Sequence, residues 1–161
     1  MKPDLPQRKK LPHDIPSWVP DDERYFITIN SKPRGKDQLC RQGRAEMLMQ
    51  SIDVYENIQR WYVWLMVVMP DHLHMIACFD RERGIRQTIK AWKGYHAKYL
   101  GIVWQPDFFE HRLRNDAEFV EKASYVRNNP VRGGLVSDPE DWPYTWQRSE
   151  VGRGVPAEPH D

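Results

Sequence analysis

The sequence predicts an α+β fold: a four-stranded antiparallel sheet with helices on one face and a C-terminal helix that carries a tyrosine. Three observations predict it. Hydrophobic periodicity alternates in the order β-α-β-β-α-β-α. The run Trp61–Met69 is wholly apolar and reads as a central strand, covered on both sides. The length, 161 residues, suits one domain, and 40% hydrophobic residues with seven Trp can fill a core.

Each element has its own signal. Arg24–Asn30 (RYFITIN) is β-branched and aromatic, hence a strand. Ser31–Gly35 is a turn. Gln38–Gln59 is helical, with Leu48, Ile52, Tyr55 and Ile58 on one stripe. Trp61–Met69 follows as a strand, Pro70-Asp71 breaks it, and His72–Phe79 is the next strand. Ile85–Leu100 is helical, with Ile85, Ile89, Trp92 and Tyr99 towards the core and Arg86, Lys90 and Lys93 in a basic stripe beside them. Asp107–Leu113 is a shorter strand. Asp116–Asn128 is a third helix, capped by Asn115 or Asp116 and ended by Pro130. Four strands with two interleaved helices form a ferredoxin-like, RRM-like sandwich, with the third helix against the sheet.

The core domain spans residues 18–147. Residues 1–17 hold Lys2, Arg8, Lys9 and Lys10 among four prolines and read as an extended basic arm. Residues 148–161 are polar, with Gly152, Gly154, Pro156 and Pro159, and read as a flexible tail.

The formal charge is only +1, which excludes a histone-like polycation. Charge is uneven, however: residues 81–132 carry eleven Lys/Arg against six Asp/Glu, interleaved with eight aromatics. That pattern suits a phosphate chain with bases to stack, and equally a solvated helix face with core aromatics. The longest apolar run is about half of the roughly 20 residues a membrane helix needs, and the first residues lack an apolar signal segment. Two cysteines outside any Cys-x-x-Cys point to a reduced, cytoplasmic protein.

Two features carry chemistry. In His72-Leu73-His74 the imidazoles are i and i+2 on a strand, so they leave one face together and can share a cation. The same pair also fits two ordinary histidines on a half-exposed strand. The His-x-His-x-Asp-His pattern of metallo-hydrolases fails, because Ile76 and Ala77 fill the last two positions. The second feature is Tyr125 with Asn129, one turn apart on a helix face. Asn129 offers a carbonyl oxygen, a hard ligand for Mg²⁺ or Mn²⁺. Tyr125 is a usable nucleophile if a cation or base activates its phenol. Alone, these two read as a half-buried helix tyrosine and a capping asparagine. Together the features describe one reaction: two His and one Asn hold a divalent cation, the cation polarises a DNA phosphate, and Tyr125 attacks the phosphorus. The products would be a phosphotyrosine and a free 3′-OH, and the retained bond energy would allow strand transfer.

At these residues the sequence resembles a family. The apolar strand running into MPDHLHM looks like the His-hydrophobe-His motif of the HUH nucleases. YVRNNPVRGGLV followed by DWPYTW is similar to the single-tyrosine transposases, and closest to the REP-associated tyrosine transposases of bacteria. WQPDFFEHRLRN and the early LPHDIPSWV…RYFITIN are similar to the same group. The resemblance covers Leu11 to Trp146. It implies that His72 and His74 bind the metal, that Tyr125 is the nucleophile, and that Asn129 is the third ligand. It also implies cleavage of single-stranded DNA beside palindromic repeat hairpins, by a monomer or homodimer. The segment after Trp146 departs from relatives whose longer tail regulates the site.

The expected DNA contacts are Arg86, Lys90 and Lys93 for affinity, Arg112 and Arg114 with the loops near them, Arg127 on the tyrosine helix, and Arg8, Lys9 and Lys10 in the arm. Two rivals stand beside this reading: a silent hairpin-binding protein of the same fold, and a ferredoxin-like RNA-binding domain, which would want exposed aromatics on two central strands. Other residues read as structural: His96 near a core stripe, Cys78 a small buried hydrophobe, Glu121 on a helix surface, His111 covering the sheet, and Gly133-Gly134 turning the chain out of the tyrosine helix.

Overall fold

The computed structural model describes residues 15–149. The elements are β1 (Arg24–Asn30), α1 (Arg44–Asn57), β2 (Trp61–Val68), β3 (His72–Phe79), α2 (Gly84–Leu100), β4 (Phe109–Leu113), α3 (Asp116–Arg127), α4 (Asn129–Arg132), a 3-10 turn (Pro139–Asp141) and β5 (Thr145–Gln147). The sheet runs β4-β1-β3-β2-β5, and every pairing is antiparallel. The first six elements form the split βαβ arrangement expected. The sheet has five strands rather than four: Thr145–Gln147 pairs with Leu65–Val67. Three residues are too few for a period-two signal, so this strand is silent in the sequence.

The sheet is covered on both faces, as the apolar β2 requires. On one face Ile27, Ile29, Met66, Val68, Leu73 and Met75 pack with Leu48 and Ile52 of α1 and Ile89 and Trp92 of α2. On the other, Phe26, Trp64, Leu65, Val67 and Ile76 pack with Ala123 and Val126 of α3. Each large side chain sealed here contributes about 1.5–3 kcal/mol. The Trp92 indole N–H donates to Ser51 Oγ at 2.8 Å and that of Trp61 to Ile52 O at 3.2 Å, which fixes α1 against α2 and β2. In β2 the register shifts between Val63 and Leu65, a bulge that puts Trp64 and Leu65 on the same face.

Several expected boundaries move. α1 starts at Arg44 rather than Gln38, because Gln42 and Gly43 have left-handed φ of 57° and 74°. The preceding loop is instead pinned to Pro70 O by the Gln38 and Leu39 amides, both at 3.0 Å. Ile58 and Tyr99, assigned to core stripes, are exposed, since each falls at the end of its helix beyond the sheet's cover. The tail does not begin at Arg148. Its backbone N–H donates to Trp64 O, its Nε to Val63 O, and its guanidinium pairs with Glu56 and stacks on Tyr62. Among the described residues no helix is long and apolar enough to cross a membrane.

Candidate active site

The site lies on the α3 face of the sheet. Pro70 and Asp71 interrupt the β2–β3 hairpin, closed by Met69 N–H donating to His72 O at 2.8 Å. Strand alternation then sends His72 and His74 to the face that carries Ile76 and Cys78. Their ring centroids are 4.8 Å apart.

His74 is buried. Its Nδ1 is 2.9 Å from Thr28 Oγ1, on the residue directly opposite in β1, and its ring stacks on Phe26. Burial, the His72 imidazole and the Arg132, Lys122 and Arg34 cations hold the imidazole down at about 3, so it is neutral at physiological pH. His72 is oriented by Asp71, whose Oδ1 lies 2.8 Å from its Nδ1. Burial pushes the Asp71 carboxyl up, but hydrogen bonds from His72, the Gly35 amide and Arg34 outweigh it and leave it at about 2. The carboxylate thus accepts a hydrogen bond from Nδ1–H, and the Nε2 lone pair turns towards Asn129 Oδ1 at 3.2 Å.

Asn129 reaches that position through a break in the helix, which corrects the expected single helix face. α3 ends at Arg127, Asn128 sits at φ −88°, ψ 1°, and its side-chain amide donates to Ser124 O at 2.8 Å. Pro130 does not simply stop the helix: it lies in the first turn of α4, where its missing N–H costs nothing. Gly133 lets this turn approach the hairpin, because an added Cβ would sit 3.3 Å from Met69 Cε. Gly134 makes the turn outward with φ +76°.

Tyr125, 47% exposed, joins this group through two shared cations. Arg132 lies 3.8 Å from its ring centroid and donates to its carbonyl at 2.7 Å. Lys122 lies 5.0 Å from the same ring and 4.7 Å from that of Phe26. Lys122 and Arg132 are the cations that also act on His74. These two, with Asp71 and Arg34, were missed in the sequence. Only Asp71 carried a cue, as a carboxylate next to the first histidine.

The donor chemistry fits a hard divalent cation. His72 Nε2 and Asn129 Oδ1 face each other with lone pairs, and the neutral His74 keeps Nε2 beyond the nitrogen that Thr28 holds. Among the described residues no group of three His, Cys, Asp or Glu side chains could hold a metal ion, and a third donor beside the two imidazoles would be Asn129 Oδ1.

The expected DNA contacts divide. Arg86 and Lys90 are exposed on α2, across the sheet from the imidazoles. Lys93 is a correction: it is buried, and its ammonium donates to Gln105, Pro106 and Asp107 carbonyls at 2.7, 3.3 and 3.2 Å. β4 starts at Phe109 rather than Asp107, just past the three carbonyls that Lys93 holds. Lys93→Met should therefore lower stability by about 1–3 kcal/mol, read by chemical denaturation, because three carbonyls lose their donor. Arg112 is exposed, with one bond to Asp22 O at 3.4 Å, and the Arg114 side chain is exposed as well. Arg127 is half-buried, with Nη1 sealed from solvent, and its acidic neighbour is Glu140. Arg8, Lys9 and Lys10 lie outside the described residues. His96 and Cys78 are buried, as expected, bonded to Trp92 O and Pro20 O, and Glu121 is exposed.

No family model matches the chain. Over 136 residues, 81% of this chain and 80% of the relative, it is 29% identical to the REP-associated tyrosine transposase of Escherichia coli (strain K12). A Haemophilus influenzae protein is 27% identical over 154 residues, 83% of this chain and 82% of that one. The fold matches a solved REP-associated tyrosine transposase bound to a REP hairpin, with TM-score 0.72 and 24% identity over 94% of this chain and 88% of that one. In sequence, then, the chain is similar to transposases. More narrowly, it is similar to the REP-associated tyrosine transposases of these two bacteria.

Proposed function

We propose that this protein is a hairpin-directed DNA endonuclease and strand transferase that works through Tyr125. One observation carries the reading: His72 Nε2, His74 and Asn129 Oδ1 converge on one face, and two of the three cations that act on His74, Lys122 and Arg132, also hold the Tyr125 ring. Mg²⁺ or Mn²⁺, held by His72, His74 and Asn129, would polarise the scissile phosphate. The rest falls to the chain. Lys122 and Arg132 draw the phosphate to the phenol and offset its charge. Tyr125 Oη forms a bond to phosphorus as its proton leaves, and the P–O3′ bond breaks, the 3′-oxygen taking up a proton. A 5′-phosphotyrosine remains, ready for attack by another 3′-OH. Asp71 keeps His72 in the tautomer that leaves Nε2 free.

The test is a denaturing gel of end-labelled hairpin DNA with a single-stranded flank, incubated with protein and Mn²⁺. A covalent protein–DNA band is the expected result. Tight binding without that band would select a silent hairpin-binding protein instead.

Arg86 and Lys90, on the side of α2 that Lys93 ties to the lead-in of β4, are proposed to add affinity without sequence choice. Replacing both by Ala should weaken binding to all hairpins alike and flatten the salt dependence of log K by about two units. An unchanged slope would show them to be a solvated helix face.

A further inference from the structure

We propose that Phe109 is a stacking platform for one unpaired nucleobase of the strand that Tyr125 attacks. The proposal rests on the nuclease reading above and names where the flanking nucleotide sits.

Phe109 pairs with Thr28, and Thr28 pairs with His74. Cross-strand partners share a face of the sheet. Phe109 and His74 therefore stand on one row and one face, two strands apart, or about 10 Å. That distance suits the base of a nucleotide whose phosphate, or whose neighbour's phosphate, lies at the imidazoles. Phe109 is 55% exposed. It meets Phe26 edge-on at 6.1 Å, and Phe26 stacks on His74 at 5.2 Å, so an unbroken run of aromatic rings leads from the imidazole to the open edge of the sheet.

A single exposed phenylalanine is ordinary. The row and the charge around this one are what identify its occupant. Lys122 lies 4.7 Å from the Phe26 ring centroid, and Arg132 and Arg34 act on the same imidazole. Strand alternation turns Glu110 to the other face and leaves His111 beside Phe109. The surface is aromatic and cationic, which fits a phosphodiester strand with its base on the ring. Any base has a π-face, so the platform fixes the strand without choosing its sequence.

The experiment uses the full chain with Tyr125→Phe, so that binding is read without cutting. The probes are hairpin oligonucleotides with a single-stranded flank, each carrying one abasic nucleotide at a different flank position. One position should weaken binding roughly ten- to a hundred-fold. Phe109→Ala should weaken binding to intact DNA by the same factor and lose nothing more on that abasic probe. Phe109→Leu, which keeps the apolar contact with Phe26, should lose as much as the alanine variant, and Phe109→Trp should bind as well as the parent. Parental affinity in Phe109→Ala overturns the proposal, as does a loss that multiplies with the abasic loss at every position. The two readings separate cleanly. Protein with Tyr125 intact that never cuts, while the abasic cycle holds, sinks the nuclease and leaves the platform. Protein that cuts, with Phe109→Ala indifferent, does the reverse.

Discussion

Tyr125→Phe should abolish both strand cutting and the covalent adduct, and change hairpin affinity by less than about 1 kcal/mol. The substitution removes one oxygen. The ring keeps its place, because Arg132 holds it from the π-face and bonds the backbone carbonyl rather than the hydroxyl. Lys122 likewise approaches the ring. Packing is preserved, so a loss of cutting would be a loss of chemistry. The measurement is a denaturing gel beside a binding titration with the same hairpin. A phenylalanine variant that still forms the adduct would move the nucleophile elsewhere.

His74→Ala should remove cleavage as completely. EDTA should do the same to the unaltered protein, and added Mg²⁺ or Mn²⁺ should restore it. His74 is also packed: its ring stacks on Phe26 and its Nδ1 meets Thr28. The alanine variant thus leaves a gap and an unpaired hydroxyl, and should lose about 1–3 kcal/mol of stability. A far-ultraviolet spectrum and a denaturation curve separate that loss from the catalytic one. His72→Ala is the milder companion, since His72 is only half-buried. Full cleavage in EDTA would end the reading of the His-Leu-His pair as ligands.

Strong local signals were legible. β1 and β3 begin and end where their β-branched and apolar runs predict, and Asn115 caps α3 by accepting from the Glu118 amide. The shared face of His72 and His74 follows from period two, and Asn129 lies beside His72, though by a different route from the one the helix spacing implies. The sequence showed one helix, and the chain uses a break at Asn128 and a second turn. Tertiary choices stayed hidden. Lys93 keeps perfect helical spacing with Arg86 and Lys90, yet it turns inward because three loop carbonyls wait there. No pattern within a helix reports what a distant loop presents. Lys122 and Arg132 were illegible for the same reason, since their meaning comes from the strand they face.

The bulge in β2 sets the strand's reading frame. Before it, odd-numbered residues such as Trp61 and Val63 belong to the α1–α2 layer. After it, even-numbered residues such as Met66 and Val68 do. The extra residue is thus a phase shifter. A strand of the same length with unbroken alternation would swap the layer of every downstream side chain: Val67 would leave the row it shares with His74, and Met69 would abandon Gly133. Loss of a single codon at Trp64 would not do this, because Val63 already faces Ala77 and Leu65 already faces Ile76; it would straighten the ladder and remove only the indole that meets Phe119. Loss of a codon just after the bulge, at Met66, would turn Val67, Val68 and Met69 to the opposite layers, and the turn that carries Asn129 would lose the methionine it leans on.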